Sequence, residues 1–400
     1  IYLTKSKSNI NQAVALTTGQ KLVYVYDSLI TFYKERYISE AKNYPKRDIV
    51  EKLVTIPSSD ANTTIRDVMV SPTGDQVAYV KWKNGEYNVI IEKTNMEDGK
   101  RVPAKIVSDG VFNMESDEDP NYPLIGWSNT GYKLGIIQKV NNRIRIRVYD
   151  ASRGKILNFN VPKNRFDRIT GFTFMEDDDM LIMSGVRRGQ SDLFEYRMKG
   201  GRMTQLTDDA WDDEKPVYVS GGARKGVVFL SNRPEPYLDI NTLPNELPIG
   251  KKKAYFYNAT TKKSELLNIS QGFDGDIRNV IAYGMDNFAF LSDKNGITNR
   301  YVVMFAADKN NMDSAYSIPT TNFNRSILYQ QYNPASKKIA DVVQYNDSLY
   351  IFFRKAELPA PWGNLQPTTL LDLPFIDGIA ASIHSDTNLS VNSKSKDGFE

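Results

Sequence analysis

The chain has 400 residues, 40% of them hydrophobic, with 51 lysines and arginines against 48 aspartates and glutamates, one histidine and no cysteine. A charge balance this close, with no strongly basic block, argues against a nucleic-acid partner, and the lack of cysteine excludes disulfides, zinc-thiolate sites and thiol nucleophiles. The lone histidine, His384, sits in the tail sequence Ser382-Ile383-His384-Ser385-Asp386 and reads as a solvated residue, so a Ser-His-Asp triad or a multi-histidine metal site is nearly excluded within these residues.

No apolar run approaches the roughly 18 to 20 residues of a membrane helix, so no membrane span is expected. The first residue is Ile1, with no basic segment followed by an apolar stretch, which reads as a chain whose N-terminal portion has been removed or left out. Cysteine usage alone fits either a reducing cytosol or a periplasm.

In chain order, residues 1–48 read as an N-terminal extension. Within it Ser28 to Asn43 carries Leu29, Phe32, Tyr33, Tyr37 and Ile38 near helical spacing behind Asp27 or Ser28 as a cap, which predicts a short amphipathic helix. Ile49 to Ile56, with Val50, Leu53 and Val54, reads as an outermost strand ahead of the first full repeat. Pairing it with the last repeat would remove an exposed sheet edge.

Six copies of a strand-turn-strand unit follow. The clearest runs Ile65-Arg66-Asp67-Val68-Met69-Val70, Ser71-Pro72-Thr73-Gly74-Asp75, Val77-Ala78-Tyr79-Val80, Asn84-Gly85 and Tyr87 to Ile91. Pro72 presets φ for a turn, Gly74 accepts positive φ, and Asn84-Gly85 suits a tight hairpin. A second copy holds Leu124–Trp127, Leu134–Ile137 and Ile144–Tyr149. A third holds Gly171–Phe174, Met180–Ser184, Asp192–Tyr196 and Gln205–Thr207. A fourth holds Val217–Ser220, Gly226–Arg233 and, after an insertion from Pro234 to Gly250, Ala254–Tyr257. The fifth and sixth are fainter, at Phe288–Ser292 with Tyr301–Phe305, and Ile339–Val343 with Leu349–Phe353. A recurrence every ~45 to 60 residues is the length of a four-stranded propeller blade, and one such blade cannot bury both faces alone.

The expected fold class is therefore all-β: a β-propeller over residues 49–358, with six four-stranded blades, or seven if the segment before Ile49 supplies part of another. Residues 359–400, from Pro361-Trp362-Gly363 onward, read as an irregular C-terminal linker.

The run Ser71-Pro72-Thr73-Gly74-Asp75-Gln76-Val77-Ala78-Tyr79 resembles the SPDG-x-x-I-A-F core of the TolB-like propeller repeat. Trp127-Ser128-Asn129-Thr130-Gly131, Phe229-Leu230-Ser231-Asn232-Arg233 (F-x-S-x-R) and Gln205-Leu206-Thr207-Asp208-Asp209 (L-T-D) echo it, and the likeness spans roughly residues 60 to 355. Only one copy keeps the serine-proline pair, and Thr73 stands where the repeat has aspartate. Ser28 to Tyr37 is similar to segments of large multidomain cell-envelope proteins of the Bacteroidetes, in which a metallopeptidase-like domain precedes such a propeller. No His-Glu-x-x-His occurs in this sequence.

The resemblance implies a non-catalytic propeller of the periplasm or associated with the outer membrane, binding a protein or peptide partner of the cell envelope. An accessory propeller of a peptidase whose catalytic domain lies elsewhere, and a carbohydrate-active propeller using paired carboxylates, are the alternatives.

Four acidic clusters stand out: Glu115-Ser116-Asp117-Glu118-Asp119-Pro120, Glu176 to Asp179, Asp208 to Glu214, and Asp274-Gly275-Asp276. Loops between blades gather at one mouth of the channel, so Asp67, Asp119, Asp213, Glu214 and Asp276 are the candidate acidic rim for a basic peptide or a cation. The cluster at Asp177 belongs to the opposite face, and acidic turns are commonly just solvated. No cofactor is expected; Ca2+ is the ion such a rim would take, although none of the clusters has complete calcium-loop spacing. Arg143, Arg145 and Arg147 alternate with Ile144, Ile146 and Val148 and share one strand face, either solvated with cross-strand partners or an anion-binding stripe. Lys251-Lys252-Lys253 reads as a solvated loop, the insertion as a second contact surface, and Trp82, Trp127, Trp211 and Trp362 as packing residues.

Overall fold

The computed structural model describes all residues except 1–8, 46–50, 58–59, 61, 98–99, 112–118, 120, 163–164, 223, 239–249, 260, 262–263, 285, 308–312, 346, 357–362, 364 and 369–400. His384, Trp362, residues 115–118 of the first acidic cluster and most of the insertion therefore lie outside the described residues. Two compact units divide the chain: Lys46–Leu365, and Ile1–Pro45 with Gln366–Glu400.

The larger unit is built from six four-stranded antiparallel sheets. Blade 1 comprises Thr63–Val70, Gln76–Lys83, Glu86–Lys93 and Lys105–Val111. Blade 2 comprises Leu124–Trp127, Lys133–Val140, Arg143–Asp150 and Lys155–Asn160. Blade 3 comprises Arg168–Phe174, Met180–Arg187, Gln190–Arg197 and Met203–Gln205. Blade 4 comprises Asp213–Val219, Gly226–Ser231, Lys253–Asn258 and Leu267–Asn268. Blade 5 comprises Arg278–Tyr283, Asn287–Ser292, Asn299–Ala307 and Asp313–Pro319. Blade 6 takes Ile327–Asn333, Lys338–Tyr345 and Ser348–Lys355 from the end of the propeller and Lys52–Ile56 from its beginning.

The first strand of each blade touches the first strand of the next, and blade 6 returns to blade 1, so the six innermost strands close a ring around a channel. The two ends of the propeller close the ring by sharing one sheet: Lys52–Ile56 pairs antiparallel with Ser348–Lys355, Val54 opposite Ile351 and Ile56 opposite Leu349. The strand expected to seal the ring does so. A six-bladed ring is thus complete without a contribution from the segment before Ile49.

Burial explains why these strands read as apolar runs. Each of the six hydrophobic clusters is one blade-to-blade junction. In the second strand of blade 1, Val77 and Tyr79 face blade 6, whereas Ala78, Val80 and Trp82 face blade 2. The other junctions are filled likewise between blades 2 and 3, 3 and 4, 4 and 5, and 5 and 6. With both faces covered, alternation is replaced by continuous burial, as in Gly226–Ser231, where every residue is buried.

Turn chemistry follows the sequence. Ser71 N–H donates to the Gln76 carbonyl at 2.9 Å and Gly74 N–H to the Ser71 carbonyl at 2.8 Å, with Gly74 at φ 71. Asn84 and Gly85 both take positive φ, at 51 and 85, the pairing expected of a hairpin that matches strand twist. A Cβ at Gly74 would stand 2.6 Å from Cβ of Ser336 in blade 6. Gly74→Val should therefore cost about 1–3 kcal/mol, from the backbone conformation alone and before the clash is counted, read as a lower midpoint in urea unfolding. An unchanged midpoint would show that this turn is not part of the ring's packing.

The smaller unit holds two helices, α1 (Ile10–Thr18) and α2 (Leu22–Ala41). Helix α1 was not expected. Its cap signals are ordinary ones: Asn9 Oδ1 accepts from Asn11 N–H at 2.8 Å, and Gly19 ends the helix at φ 73. The helix expected over Ser28 to Asn43 instead begins at Leu22, behind Lys21 with no side-chain cap, so Asp27 and Ser28 are interior residues. None of its residues is buried, and apolar side chains such as Val23, Tyr24, Ile30 and Phe32 are exposed. No helix among the described residues is long and apolar enough to cross a membrane.

Candidate functional site: the channel and its linker face

The propeller has two unlike faces. On the linker face lie the connections from the outermost strand of one blade to the innermost strand of the next; on the turn face lie the turns joining first and second strands. The connectivity places Asp119, Asp208, Asp209, Asp212, Asp274 and Asp276 on the linker face, with Asp213 and Glu214 opening the inner strand of blade 4 there. Glu176 to Asp179 form the first turn of blade 3, on the opposite face as expected.

The five predicted rim residues do not form one acidic ring. Asp119 pairs with Arg168 at 2.5 Å, Glu214 with Lys252, and Asp276 with Arg278 at 3.2 Å, while Arg278 also reaches Asp293 at 2.6 Å. Asp60, on the same face, is held down to about 2 by Lys83 and Lys81. Pairing Asp119, Glu214, Asp276 and Asp60 with neighbouring bases gives these parts of the linker face charges of both signs. Among the described residues no group of three His, Asp or Glu side chains is arranged to hold a metal ion.

Asp213 is not at the rim at all. It is fully buried, and both carboxylate oxygens accept from Nη2 of Arg233, at 2.8 and 2.7 Å. Arg233 is itself 1% exposed; its Nη1 donates to the Tyr237 carbonyl at 2.9 Å and lies 3.0 Å from Asp209, and its Nε donates to Ser231 Oγ at 3.1 Å. The Ser231 and Arg233 of the F-x-S-x-R element thus lock onto the acids that follow the L-T-D element. Burial pushes the Asp213 carboxyl up to about 6 despite that partner.

A second buried arginine, Arg300, ties blade 5 to blade 6. Its Nε donates to Gln330 Oε1 at 2.6 Å and its Nη2 to Asp341, each of the three being 1% exposed.

Asp67 lies deeper than the rim, in the wall of the channel. It occupies a β-bulge in the inner strand of blade 1 at φ 61. Its carboxylate accepts from the backbone N–H of Ile125 in blade 2 and of Val68, and burial pushes it up to about 6 while Lys215 pulls the other way. Lys215 belongs to blade 4, which stands opposite blade 1 in a ring of six, so its charge acts on Asp67 from across the channel. Lys215 is exposed and also sits on an inner-strand bulge, at φ 50.

Asn279 in blade 5, φ 48, repeats the arrangement: its side-chain oxygen accepts from Gln330 N–H at 3.2 Å and its carbonyl from the Gln330 amide at 3.0 Å. Tyr329 of blade 6 completes this level; burial raises its hydroxyl, and Asp67 adds to the effect. Three non-glycine residues in the left-handed region at one level of the channel are backbone strain concentrated in one place. Close approach enforces it on the blade 3 side, where a Cβ on Gly171 would lie 2.8 Å from Lys215 Cα.

Sequence reasoning found Asp67 but missed Lys215, Asn279, Tyr329 and Arg233. The arginine was visible inside the F-x-S-x-R element; the others carry no local signal, because a bulge is set by the strand's partner.

On the turn face several polar side chains bridge neighbouring blades. Lys338 donates to the Gly74 carbonyl at 2.8 Å, Asn129 to the Met175 carbonyl at 2.9 Å, Lys133 pairs with Asp178 at 2.9 Å, and Lys225 with Glu176 at 2.7 Å. The arginine stripe is divided: Arg143 and Arg145 are exposed, whereas Arg147 donates to buried Ser108 of blade 1 at 3.0 Å. Lys251 and Lys252 are paired with Asp274 and Glu214. Trp82 and Trp127 are buried at the junction of blades 1 and 2, and Trp127 donates to the Met69 carbonyl at 3.2 Å.

No protein-family model matches the sequence, and no curated protein matches it. Solved structures share its propeller fold. The β-propeller domain of the Trilobed protease from Pyrococcus furiosus, described as having an open velcro topology, is 12% identical with a TM-score of 0.46, covering 78% of this chain and 98% of that one. TolB from Acinetobacter baumannii is 10% identical with a TM-score of 0.43, covering 64% of this chain, and the match spans only 54% of that TolB. A putative TolB from Agrobacterium tumefaciens is 12% identical with a TM-score of 0.42, covering 73% and 91%. These are likenesses of fold.

Proposed function

We propose that the chain is a non-catalytic binding propeller of the bacterial cell envelope that receives a protein or peptide at the linker-face mouth of its channel. The observation that carries this reading is the placement of Asp67 and Lys215 on strained inner-strand bulges of opposite blades, beneath a rim of paired opposite charges. Strained, half-buried charged groups in a concave site are where ligands are usually held. A rim of both signs suits a partner segment that itself carries both, and it favours orientation over raw affinity. On the turn face, by contrast, Lys338, Asn129, Lys133 and Lys225 are committed to neighbouring blades.

Photo-crosslinking tests the reading. A crosslinking side chain placed at Lys215 should capture a defined partner from envelope extract, and one placed at Tyr132, which is 56% exposed and adjoins a turn-face loop, should not. Lys215→Ala with Asp67→Asn should weaken recovery of that partner by tenfold or more, about 1.4 kcal/mol or above. Equal capture from both faces, or equal recovery by the double variant, would remove the channel from the proposal.

A further inference from the structure

Between blades 3 and 4, beneath the linker-face loop 206–212, three buried carboxyls lie close together with one guanidinium, which pairs with two of them. Asp192 comes from the third strand of blade 3 and is 5% exposed; Asp209 comes from the loop, its side chain 2% exposed; Asp213 and Arg233 come from blade 4 with side chains wholly buried. Arg233 already serves Asp209 and Asp213. Asp192 receives only the Gln205 amide, at 3.1 Å, and the Asp209 backbone N–H on one side, and its Oδ1 has no partner at all.

A fully ionised cluster would hold three negative charges against one positive, and an uncompensated buried charge is among the most expensive things a fold can contain. Among the described residues, the other charged or titratable groups near it are Asp208 and Asp212 in the loop, Glu235 at the start of the insertion and the Tyr255 hydroxyl, which donates to the Arg233 carbonyl at 2.8 Å. None of these adds a cation.

We propose that the junction of blades 3 and 4 is a proton-operated latch: the pocket closes with Asp192 protonated, holding the loop 206–212 in place, and loosens when that proton is lost to solvent. The chemistry is a single exchange of a proton between a carboxyl and water. Burial, and then the charges of Asp213, Asp209 and Asp208, push the Asp192 carboxyl from an ordinary 3.8 up to about 7, in keeping with the charge count. A carboxyl raised in the folded state contributes stability that is full below its unfolded value and is lost as pH rises through its folded one. The latch is therefore tightest below about pH 4, weakens steadily from there and is fully slack once the pH has passed through about 7. The loop it holds lies on the linker face, but the latch does not depend on what binds there.

Amide hydrogen exchange, corrected for the intrinsic effect of pH, measures the opening directly. Opening of the 206–213 segment should rise about tenfold between pH 6 and 8 in the wild-type protein, as linkage requires. The equivalent connection at 269–277, between blades 4 and 5, should not change. Asp192→Asn, which copies the protonated side chain, should fold and flatten the pH response of 206–213. Because Asp67 and Asp213 also hold protons near pH 6, the readout is the wild-type-minus-D192N infrared difference, which should show a protonated-carboxyl band at pH 6 that fades by pH 8. An equal pH response in both proteins, a wild-type loop no more pH-sensitive than 269–277, no titrating carboxyl band, or a D192N that cannot fold would each overturn the latch.

Discussion

A chain beginning at Lys46 is expected to keep the six-bladed ring, and one beginning at Pro57 to lose cooperative unfolding. The difference is the strand Lys52–Ile56. Leu53 and Ile56 are each 6% exposed and lie in the cluster that joins blade 6 to blade 1. Removing the strand takes those two side chains from the core, about 1.5–3 kcal/mol each when fully buried. It also frees the hydrogen-bonding edge of Ser348–Lys355, which carries Leu349, Ile351 and Phe352. An unpaired apolar edge is a template for association with other chains, so the shorter chain should elute as aggregate in size-exclusion chromatography. Because helices α1 and α2 belong to the other compact unit, the chain from Lys46 should unfold in one transition with the propeller's own midpoint. Similar behaviour of the two truncations would mean that the ring does not depend on the sheet its two ends share.

Arg233→Leu is expected to lower the unfolding free energy by about 3–5 kcal/mol, the cost of stranding a buried charge after its partner is removed. The leucine fills part of the volume but leaves Asp213 and Asp209 with no cation at the junction of blades 3 and 4. Domains are stable by only about 5–15 kcal/mol, so this is a large share of the total. Urea unfolding of R233L at pH 7 measures it, and acid supplies a check on the mechanism. Asp213 is already raised to about 6 beside Arg233, and without the arginine it rises further, so R233L should recover part of its loss at pH 5, where the stranded acids take up protons. A loss below 1 kcal/mol, or one independent of pH, would assign Arg233 to the linker face and not to the core.

The extent to which the sequence disclosed this architecture differed by layer. Second and third strands of all six repeats were legible, because burial on both faces demands uninterrupted apolar runs such as Phe229-Leu230 and Phe288 to Leu291. The inner strands of blades 5 and 6 were not. Arg278–Tyr283 and Ile327–Asn333 interrupt the pattern with Asn279, Gln330 and Gln331, residues placed by the channel and the bulges rather than by a uniform core. Helix α2 was read too short, since its apolar residues run around the cylinder and give no single stripe to mark its start.

The site divided along the same line. Asp119, Glu214 and Asp276 reach the linker face as the repeat period required, but the neighbours that neutralise them, Arg168, Lys252 and Arg278, are chosen by how loops and blades come together. Asp213, read as rim, is interior because Arg233 twenty residues later turns back on it.

What the sequence by itself determined was the repeat: turn residues whose φ is set by proline, glycine and asparagine, and apolar runs that need a neighbour on each side. Those are local properties, and they compel a ring. Only the tertiary structure decided which charges act on one another, because Asp67 and Lys215 stand three blades apart, and Asp192 and Arg233 on different blades. Electrostatic pairing depends on distance through space and on the exclusion of water, neither of which is written in the order of the residues.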